Sequence, residues 1–321
     1  MTFLGVTLPP GSYLVTGGAG FIGSHLAQSL VAAGRRVRVL DNLSSGSREN
    51  LEQIADDVDL FTGDVTDLEA CRRACKGMDF ALHHAARVSV AESVENPGST
   101  HETNATGTLN MLIAAKEAGC RRFVYAGSAS AYGDTEALPH REDMRPRPLS
   151  PYAVAKHAGE LYCQVFHRLY GLETVMLRYF NVFGPRQDAS SPYSGVIAQF
   201  MSRLMRGEPI TIYGGGEQTR DFVPVENVVQ ANLLACAAPA AAGQIINIGC
   251  GERMSINDLP RMLLNLSGAK AEVTHVAPRP GDIRHSVADV SRARELLGYE
   301  VQVTPREGLR RTLEWYRQAI A

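Results

Sequence analysis

The sequence predicts a doubly wound α/β fold, in which helices cover both faces of a parallel sheet. In the first half of the chain, short apolar runs rich in β-branched residues alternate with longer helix-like stretches. A glycine follows these stretches, where the C-terminus of a helix favours a left-handed residue. This alternation implies parallel strands joined by right-handed crossovers. The predicted strands are residues 12–16, 36–40, 58–62, 79–83, 122–126 and 174–178, and the predicted helices are residues 21–33, 67–76, 103–118 and 151–170.

The second half of the chain has a looser pattern. After Asn181, segments rich in glycine and proline separate short strand-like and helix-like runs. We therefore expect a first domain of residues 1–181 and a smaller, mixed α/β substrate domain of residues 182–321. A segment around residues 222–245 is expected to return to the first domain, because residues 231–238 have a helix-like composition.

The composition excludes several classes of protein. Among 321 residues, 32 are basic and 34 are acidic, and the formal net charge is −2. Binding to nucleic acid without sequence preference relies on a basic face, which this balance does not provide. No run of 18 apolar residues is present, so no membrane-spanning helix is predicted. The first residues contain no basic segment followed by an apolar core, so no signal peptide is expected.

The cysteines indicate a reducing compartment. The six are Cys71, Cys75, Cys120, Cys163, Cys236 and Cys250. They form no CxxC pair and no zinc-ligand spacing, so we expect free thiols, a cytoplasmic protein and no metal site. His83 and His84 stand together at a predicted strand end, but no acid or cysteine has a matching spacing. We expect these histidines to pack or to line the cofactor.

A glycine-rich turn follows the first predicted strand. Gly17, Gly20 and Gly23 have the spacing GxxGxxG, and Phe21 and Ile22 begin the helix that follows. Such a turn brings the backbone close to a pyrophosphate at a helix N-terminus, and its last glycine lets helix and strand pack closely. The alternative is a tight turn without a ligand. The position between a strand and a helix favours a dinucleotide, and with it a Rossmann sheet.

Acidic residues follow the second and third predicted strands. Asp41, with Asn42 beside it, lies eighteen residues after Gly23. A carboxylate there accepts hydrogen bonds from the ribose hydroxyls and repels a 2′-phosphate, so NAD is favoured over NADP. Asp64 and Val65 are predicted to meet the adenine edge. The alternative for Asp64 is an N-cap of the next helix.

A serine, a tyrosine and a lysine predict the chemistry. Ser128 follows the fifth predicted strand, where ligands of such sheets bind. Tyr152 and Lys156 are four residues apart and therefore share one helix face. An ammonium beside a phenol favours the phenolate, so we expect Lys156 to lower the pKa of Tyr152 and make it a general base. A surface pair is the alternative for the tyrosine and lysine alone.

Together these motifs resemble the extended short-chain dehydrogenase/reductase family and, within it, the UDP-sugar 4-epimerases. The matching segments are TGGAGFIG at residues 16–23, the loop at Ser128, YAVAK at 152–156, LRYFNVFGP at 177–185, RDFV at 220–223 and RPGD at 279–282. They extend over nearly the whole chain. The resemblance implies that Ser128, Tyr152 and Lys156 are catalytic. It implies that the UDP moiety is held at Asn181, Arg220, Arg279 and Asp282, that Ala85 contacts NAD, and that Ser89 and Ser130 contact the sugar.

The same resemblance separates related reactions. Dehydratases and decarboxylases of this family carry an acid between the catalytic serine or threonine and the following YG pair, where this chain has Ala129, Ser130 and Ala131. Elimination then lacks its acid/base partner. Reversible oxidation at C4 through a 4-keto sugar is the expected reaction. A dehydratase or decarboxylase and a non-catalytic NAD-binding sensor remain as alternatives.

The resemblance also bears on the sugar and on the assembly. It puts Ser286 beside the C2 substituent, where glucose-restricted epimerases carry a bulky tyrosine, and a serine leaves room for an N-acetyl group. We expect interconversion of UDP-N-acetylglucosamine and UDP-N-acetylgalactosamine, with activity also on UDP-glucose and UDP-galactose. An ordinary loop serine is the alternative for Ser286. Family members pair two helices per subunit in a four-helix bundle, so a homodimer is expected.

Overall fold

The computed structural model describes residues 2–3, 5–188, 195–278 and 283–320. The strands are β1 Thr2–Phe3, β2 Val6–Thr7, β3 Ser12–Thr16, β4 Arg36–Asp41, β5 Val58–Thr62, β6 Phe80–His83, β7 Arg122–Ser128, β8 Glu173–Tyr179, β9 Asn181–Phe183, β10 Ile210–Tyr213, β11 Thr219–Arg220, β12 Phe222–Pro224, β13 Ile245–Ile248, β14 Met254–Ser255 and β15 Val273–Val276. The α-helices are α1 Phe21–Ala32, α2 Leu68–Cys75, α3 Val90–Glu95, α4 Pro97–His101, α5 Gly107–Glu117, α6 Pro151–Tyr170, α7 Val196–Met205, α8 Val225–Ala237, α9 Asp258–Ser267, α10 Ser291–Leu297 and α11 Pro305–Ile320.

The central sheet confirms the predicted fold class. In the described part of the chain it has seven strands in the order β5-β4-β3-β6-β7-β8-β13, and every neighbouring pair is parallel. The chain starts in the middle at β3, builds outward to β5, and then returns to β6 on the other side of β3. Ligands of such sheets bind beyond the carboxyl ends of the strands where the order reverses, between β3 and β6.

Apolar side chains from helices cover both faces of this sheet. On one face, Leu26 and Leu30 of α1 and Val228 of α8 are fully buried. On the other face, Met111 of α5 and Cys163 of α6 are fully buried. Since α8 and β13 come from the second half of the chain, residues far apart in sequence complete the layers around the sheet.

A second core lies beyond the carboxyl end of β8. There β9 pairs with β12, β10 with β15, and β11 with β14. This core packs around α7, α9 and α11, and its buried residues include Phe183, Phe200, Met201, Ile212, Leu263 and Leu313. Short strand pairs of this kind hold side chains from distant segments near the end of the main sheet.

Within the ranges described above, no helix is both long and apolar enough to cross a bilayer.

All six cysteines are free and buried.

Candidate active site

The glycine turn leaves no room for side chains. A Cβ on Gly17 would lie 2.7 Å from the backbone nitrogen of Ala85, and Gly17 has a φ of +65°. A Cβ on Gly23 would lie 2.1 Å from the Gly17 carbonyl oxygen. Gly20 is the N-cap of α1 and provides no side-chain cap, so the first amides of Phe21 and Ile22 remain available to an anion. The turn therefore fits a pyrophosphate.

Asp41 ends β4 beside this turn. Its carboxylate accepts hydrogen bonds from the backbone amides of Ala19 at 2.9 Å and Leu43 at 2.8 Å. Each oxygen retains a lone pair that can accept a ribose hydroxyl. This arrangement fits the adenosine ribose of NAD.

Asp64 and Asn42 contact each other at the ends of adjacent strands. The Asn42 amide donates to Asp64 at 2.7 Å, and the backbone of Thr66 donates at 2.9 Å. Burial raises the pKa of Asp64, but these hydrogen bonds outweigh it and hold the pKa below its ordinary value. The N-cap of α2 is Asp67, so the alternative that Asp64 caps this helix is wrong. Val65, beside Asp64, is buried.

Thr16 joins the ends of β3 and β6. Its hydroxyl accepts the amides of His84 and Ala85, both at 3.1 Å, and contacts His83 Nδ1 at 2.7 Å. His84 Nε2 lies 3.0 Å from the Tyr179 hydroxyl. Burial, reinforced by the nearby Lys156 charge, lowers the pKa of His84 to about 3 and that of His83 well below its ordinary value. Both histidines are therefore neutral packing groups at the cofactor edge.

The structure brings Ser128 and Tyr152 together. Ser128 ends β7 and caps a short 3₁₀ turn, accepting the Ser130 amide at 3.2 Å. Ser150 caps α6 through the Ala153 amide, which places Tyr152 in the first helical turn. The Ser128 side chain lies close enough to the Tyr152 phenol to act on its pKa, which it lowers against the effect of burial. The two side chains are therefore neighbours at the end of β7.

Lys156 is buried one turn further along α6. Its ammonium donates to the Ala126 carbonyl at 2.9 Å and lies 5.2 Å from the centre of the Tyr125 ring. Burial lowers the pKa of Lys156 to about 8, and Glu160 opposes this shift. Burial raises the pKa of Tyr152 despite the opposing effect of Ser128. The expectation of a lowered tyrosine pKa is wrong for this structure, because burial outweighs that effect and the Lys156 ammonium points to Ala126.

The two serines expected near the sugar differ in their surroundings. Ser89 caps α3 by accepting the Glu92 amide at 3.0 Å. The Ser130 hydroxyl is buried and has no hydrogen-bond partner in the structure. Nearby, the Asn104 side-chain amide accepts a hydrogen bond from the Arg87 backbone N–H and donates one to the Arg87 carbonyl. The Arg87 guanidinium forms an ion pair with Glu92 at 2.6 Å on the surface. Ser130 is therefore the serine with unused hydrogen-bonding capacity.

A cavity of about 220 Å³ lies beside β9 and β11. It is lined by Asn181, Gly195, Val196, Gln199, Phe200, Thr211, Ile212, Tyr213, Gln218, Arg220 and Ile256. The cavity thus brings Asn181 and Arg220 together, with the N-terminus of α7 at its wall. Arg279 and Asp282 lie outside the described residues.

Ser286 lies on a segment that runs beside β11. It is buried, and its amide donates to the Thr219 carbonyl at 3.0 Å. The same segment binds the loop between Ser128 and Tyr152, because the His140 amide donates to Val287 at 2.8 Å and the Asp289 amide donates to His140 at 2.9 Å. Backbone hydrogen bonds therefore join the segment that carries Ser286 to the loop between Ser128 and Tyr152.

Two buried acids were not assigned a role from the sequence. The Asp221 carboxylate accepts the amides of Cys250, Gly251 and Ala288 at 2.8–3.1 Å, and burial raises its pKa to about 6. Glu160, one helical turn after Lys156, is fully buried. In the sequence, Glu160 could have been noticed as an acidic residue on the apolar face of the helix that became α6.

The turn, the ribose carboxylate and the serine–tyrosine–lysine set define a dinucleotide-dependent enzyme of the short-chain dehydrogenase/reductase class. Among the residues that the structure describes, no group of three or more His, Cys, Asp or Glu could hold a metal ion. The chain belongs to the NAD dependent epimerase/dehydratase family, whose model matches residues 13–249. The family resemblance is thereby confirmed, and NAD is the cofactor.

Individual relatives cover almost the entire chain. A UDP-glucose 4-epimerase of Mycolicibacterium smegmatis is 40% identical over 308 residues, which is 95% of this chain and 98% of that protein. The crystal structure of a UDP-glucose 4-epimerase from Thermotoga maritima with UDP-glucose has a TM-score of 0.92 and 39% identity, covering 97% of this chain and 100% of that chain. A UDP-N-acetylglucosamine 4-epimerase from Methanobrevibacter ruminantium, in complex with UDP-N-acetylmuramic acid, has a TM-score of 0.93 and 37% identity with the same coverage.

Proposed function

We propose that this chain is a UDP-sugar 4-epimerase that interconverts UDP-N-acetylglucosamine and UDP-N-acetylgalactosamine, with activity also on UDP-glucose and UDP-galactose. The observation that carries the proposal is the proximity of the Tyr152 phenol to Ser128 at the carboxyl end of β7, the same edge of the sheet at which the glycine turn follows β3. Relatives that act on UDP-sugars support the substrate class. The segment 129–131 has no carboxylate, which argues against elimination.

The chain's own residues handle the proton at the C4 oxygen. Tyr152 accepts the proton from the C4 hydroxyl and later returns it, while Ser128 orients that oxygen. Lys156 contributes a positive charge one helical turn from Tyr152, although its ammonium points to Ala126 in this structure. When bound, NAD would supply a reversible acceptor for the hydride from C4, so that a 4-keto sugar turned in the site could be reduced on its other face with inversion at C4.

Inversion requires that the sugar turn while the nucleotide stays in place. In our proposal the cavity beside β9 and β11 holds the UDP moiety, with Asn181 and Arg220 as polar contacts. The family resemblance adds Arg279 and Asp282 as further UDP-binding residues. A guanidinium suits a pyrophosphate because it donates several hydrogen bonds in a fixed plane. This assigns NAD binding to residues 1–181 with the returning segment 222–245, and UDP-sugar binding to the rest of 182–321.

The preference for N-acetylated sugars depends on Ser286. A small, buried side chain at this position leaves volume that a tyrosine would occupy. The test is a panel of the four UDP-hexoses, with and without the N-acetyl group, analysed by chromatography. We expect both pairs to interconvert, the N-acetylated pair faster. Turnover of the non-acetylated pair alone would refute the preference, and formation of 4-keto-6-deoxy or decarboxylated products would refute 4-epimerisation.

The proposed enzyme is a homodimer. The long helix α6 exposes apolar side chains at Val154, Leu161, Val165 and Leu169, each from 43% to 71% exposed. These residues are spaced by seven, four and four positions and therefore form one stripe. A second copy that covers this stripe would complete a four-helix bundle with α5 and α6 of each subunit. Light scattering should give a dimer mass, and a monomer would contradict this arrangement.

A further inference from the structure

A buried ion pair lies directly below the catalytic lysine. The Glu160 carboxylate accepts two hydrogen bonds from Arg178, both at 2.8 Å, and contacts His157 Nδ1 at 2.9 Å. Glu160 is 0% exposed and Arg178 is 1% exposed. Removing two charges from water costs more than such a pair usually returns in stability. Its presence in the core therefore calls for an explanation other than stability.

Glu160 and Lys156 contact the same stretch of β7. They are four residues apart on α6 and so share one face. The Lys156 ammonium donates to the Ala126 carbonyl at 2.9 Å. A Cβ on Gly127 would lie 3.0 Å from Glu160 Oε1. The next residue is Ser128. Along β7, Ala126 therefore contacts the ammonium, Gly127 lies against the carboxylate, and Ser128 carries the proposed catalytic hydroxyl.

Among the described titratable side chains that face Lys156, only Glu160 is a carboxylic acid. His83 and His84 face the lysine from the end of β6, and burial depresses the pKa of each, so both are neutral. Tyr125 faces it from β7, and burial, with Glu160 contributing, raises its pKa. Tyr152 lies on the same helix.

The charge state of Glu160 follows from its partners. Burial raises the pKa of Glu160, but the hydrogen bonds from Arg178 and His157 outweigh it and keep the group anionic. Burial lowers the pKa of Lys156 to about 8, and the Glu160 charge acts against this shift. The carboxylate is therefore placed to keep the lysine charged in a site that otherwise favours the neutral amine.

We propose that Glu160 is a positioning residue of the active site, whose carboxylate, anchored by Arg178, keeps Lys156 in its ammonium form against the Ala126 carbonyl. The catalytic consequence rests on the proposed function, because it requires that Lys156 supports Tyr152 in proton transfer. The electrostatic part does not depend on turnover.

The direct test follows the titration of Lys156 by NMR with ¹³C-labelled lysine in the NAD-loaded protein. The chain has four lysines, Lys76, Lys116, Lys156 and Lys270, so Lys→Arg variants can assign each signal. In Glu160→Gln we expect the Lys156 midpoint to fall by about one pH unit, a tenfold change in the ammonium-to-amine ratio. The alkaline limb of the kcat profile should move in the same direction, with KM for the UDP-sugar unchanged.

Two further variants keep the test decisive. Glu160→Gln leaves Arg178 buried and unpaired, so the double variant Glu160→Gln/Arg178→Met removes both charges and should show a smaller fall in the same direction. Thr174→Val is the matched control, because Thr174 also joins β8 to α6 through the Cys163 carbonyl at 2.9 Å but carries no charge. Its Lys156 midpoint should equal that of the wild type.

The outcomes separate this inference from the proposed function. A Lys156 midpoint that changes by less than about twofold in protonation ratio in both Glu160 variants overturns the inference, whatever the activity. A fall of the same size in Thr174→Val also overturns it, because the effect would then come from loosening of α6. A shifted midpoint in a protein that converts no UDP-sugar refutes the proposed function and leaves the role of Glu160 intact.

Discussion

The cofactor edge of the sheet and the cavity beside β9 and β11 are built in different ways. At the cofactor edge, backbone atoms from β3, α1 and β6 approach so closely that only glycine fits at Gly17 and Gly23. At the cavity, side chains arrive from five separate segments between Asn181 and Ile256. A site made of backbone tolerates almost no change, whereas a site made of side chains can alter its ligand by single substitutions. We therefore expect the backbone fold to determine which cofactor binds, and individual side chains to determine which sugar binds.

Substitution of Tyr152, the proposed proton acceptor, should have the largest effect. In Tyr152→Phe the proton acceptor is removed while the ring remains, so we expect kcat to fall by about 10²- to 10⁴-fold. NAD affinity should change little, because the glycine turn is untouched. Sugar interconversion measured by chromatography, with cofactor content measured by absorbance, checks both statements. Near-normal turnover would contradict the assignment.

The backbone character of the cofactor edge can be tested with a single methyl group. In Gly23→Ala the new Cβ would lie 2.1 Å from the Gly17 carbonyl, which forces a shift costing about 1–3 kcal/mol. NAD affinity should fall by about 5- to 150-fold. The matched control is Gly98→Ala in α4, where a Cβ meets nothing within 4 Å. Equal NAD affinities of the two variants by calorimetry would refute the idea.

The side-chain character of the substrate region can be tested at Ser286, which we propose to lie beside the C2 substituent. In Ser286→Tyr we expect the ratio of kcat/KM for the N-acetylated pair to that for the non-acetylated pair to fall by about tenfold or more, because overpacking costs about 1–3 kcal/mol. Ser286→Ala, which adds no volume, is the control and should retain the wild-type ratio. A ratio that is unchanged in Ser286→Tyr would place the N-acetyl group elsewhere.

The smallest expected effect concerns stability at acidic pH. Burial lowers the pKa of His25 from its ordinary value of 6.5 to about 4, whereas the unfolded chain binds a proton at the ordinary value. The unfolded state therefore takes up more protons below about pH 6.5, and the free energy of unfolding falls by up to about 1.4 kcal/mol per pH unit from this group. This loss continues until the pH reaches the folded pKa.

Urea unfolding between about pH 7 and about pH 5 measures this slope. His25→Gln should reduce it, whereas the same change at the exposed His101 should leave it as in the wild type. Equal slopes in all three proteins would show that His25 does not govern acid stability.

The sequence predicted six strands of the central sheet, because these are short apolar runs, but it missed β13, which joins the sheet from the second half of the chain. It predicted the helix beginning at residue 103 incompletely, since the helical path starts at Pro97 and passes through a π-helical segment, Glu102–Thr106, before α5. The pKa of Tyr152 could not be predicted from the Tyr-x-x-x-Lys spacing, because spacing does not reveal burial or where the ammonium points.

Contacts between distant residues were also beyond the sequence. Glu160 and Arg178 are eighteen positions apart, and Asp221 binds amides twenty-nine to sixty-seven positions away. Nothing in the local pattern around either acid indicates its partners. Such contacts form only once α6, β8 and the later segments are packed together, and this is why the phosphate turn was recognisable and the support beneath Lys156 was not.

The two backbone hydrogen bonds of His140 have a consequence for protein engineering. They join the segment that carries Ser286 to the loop between Ser128 and Tyr152, so residues 284–289 cannot be exchanged on their own. A chimera that takes this segment from a relative, without the loop around His140, would lose these hydrogen bonds and disturb the surroundings of Ser128, Tyr152 and Ser286 together. To change the sugar preference of this protein, the two segments should therefore be exchanged together.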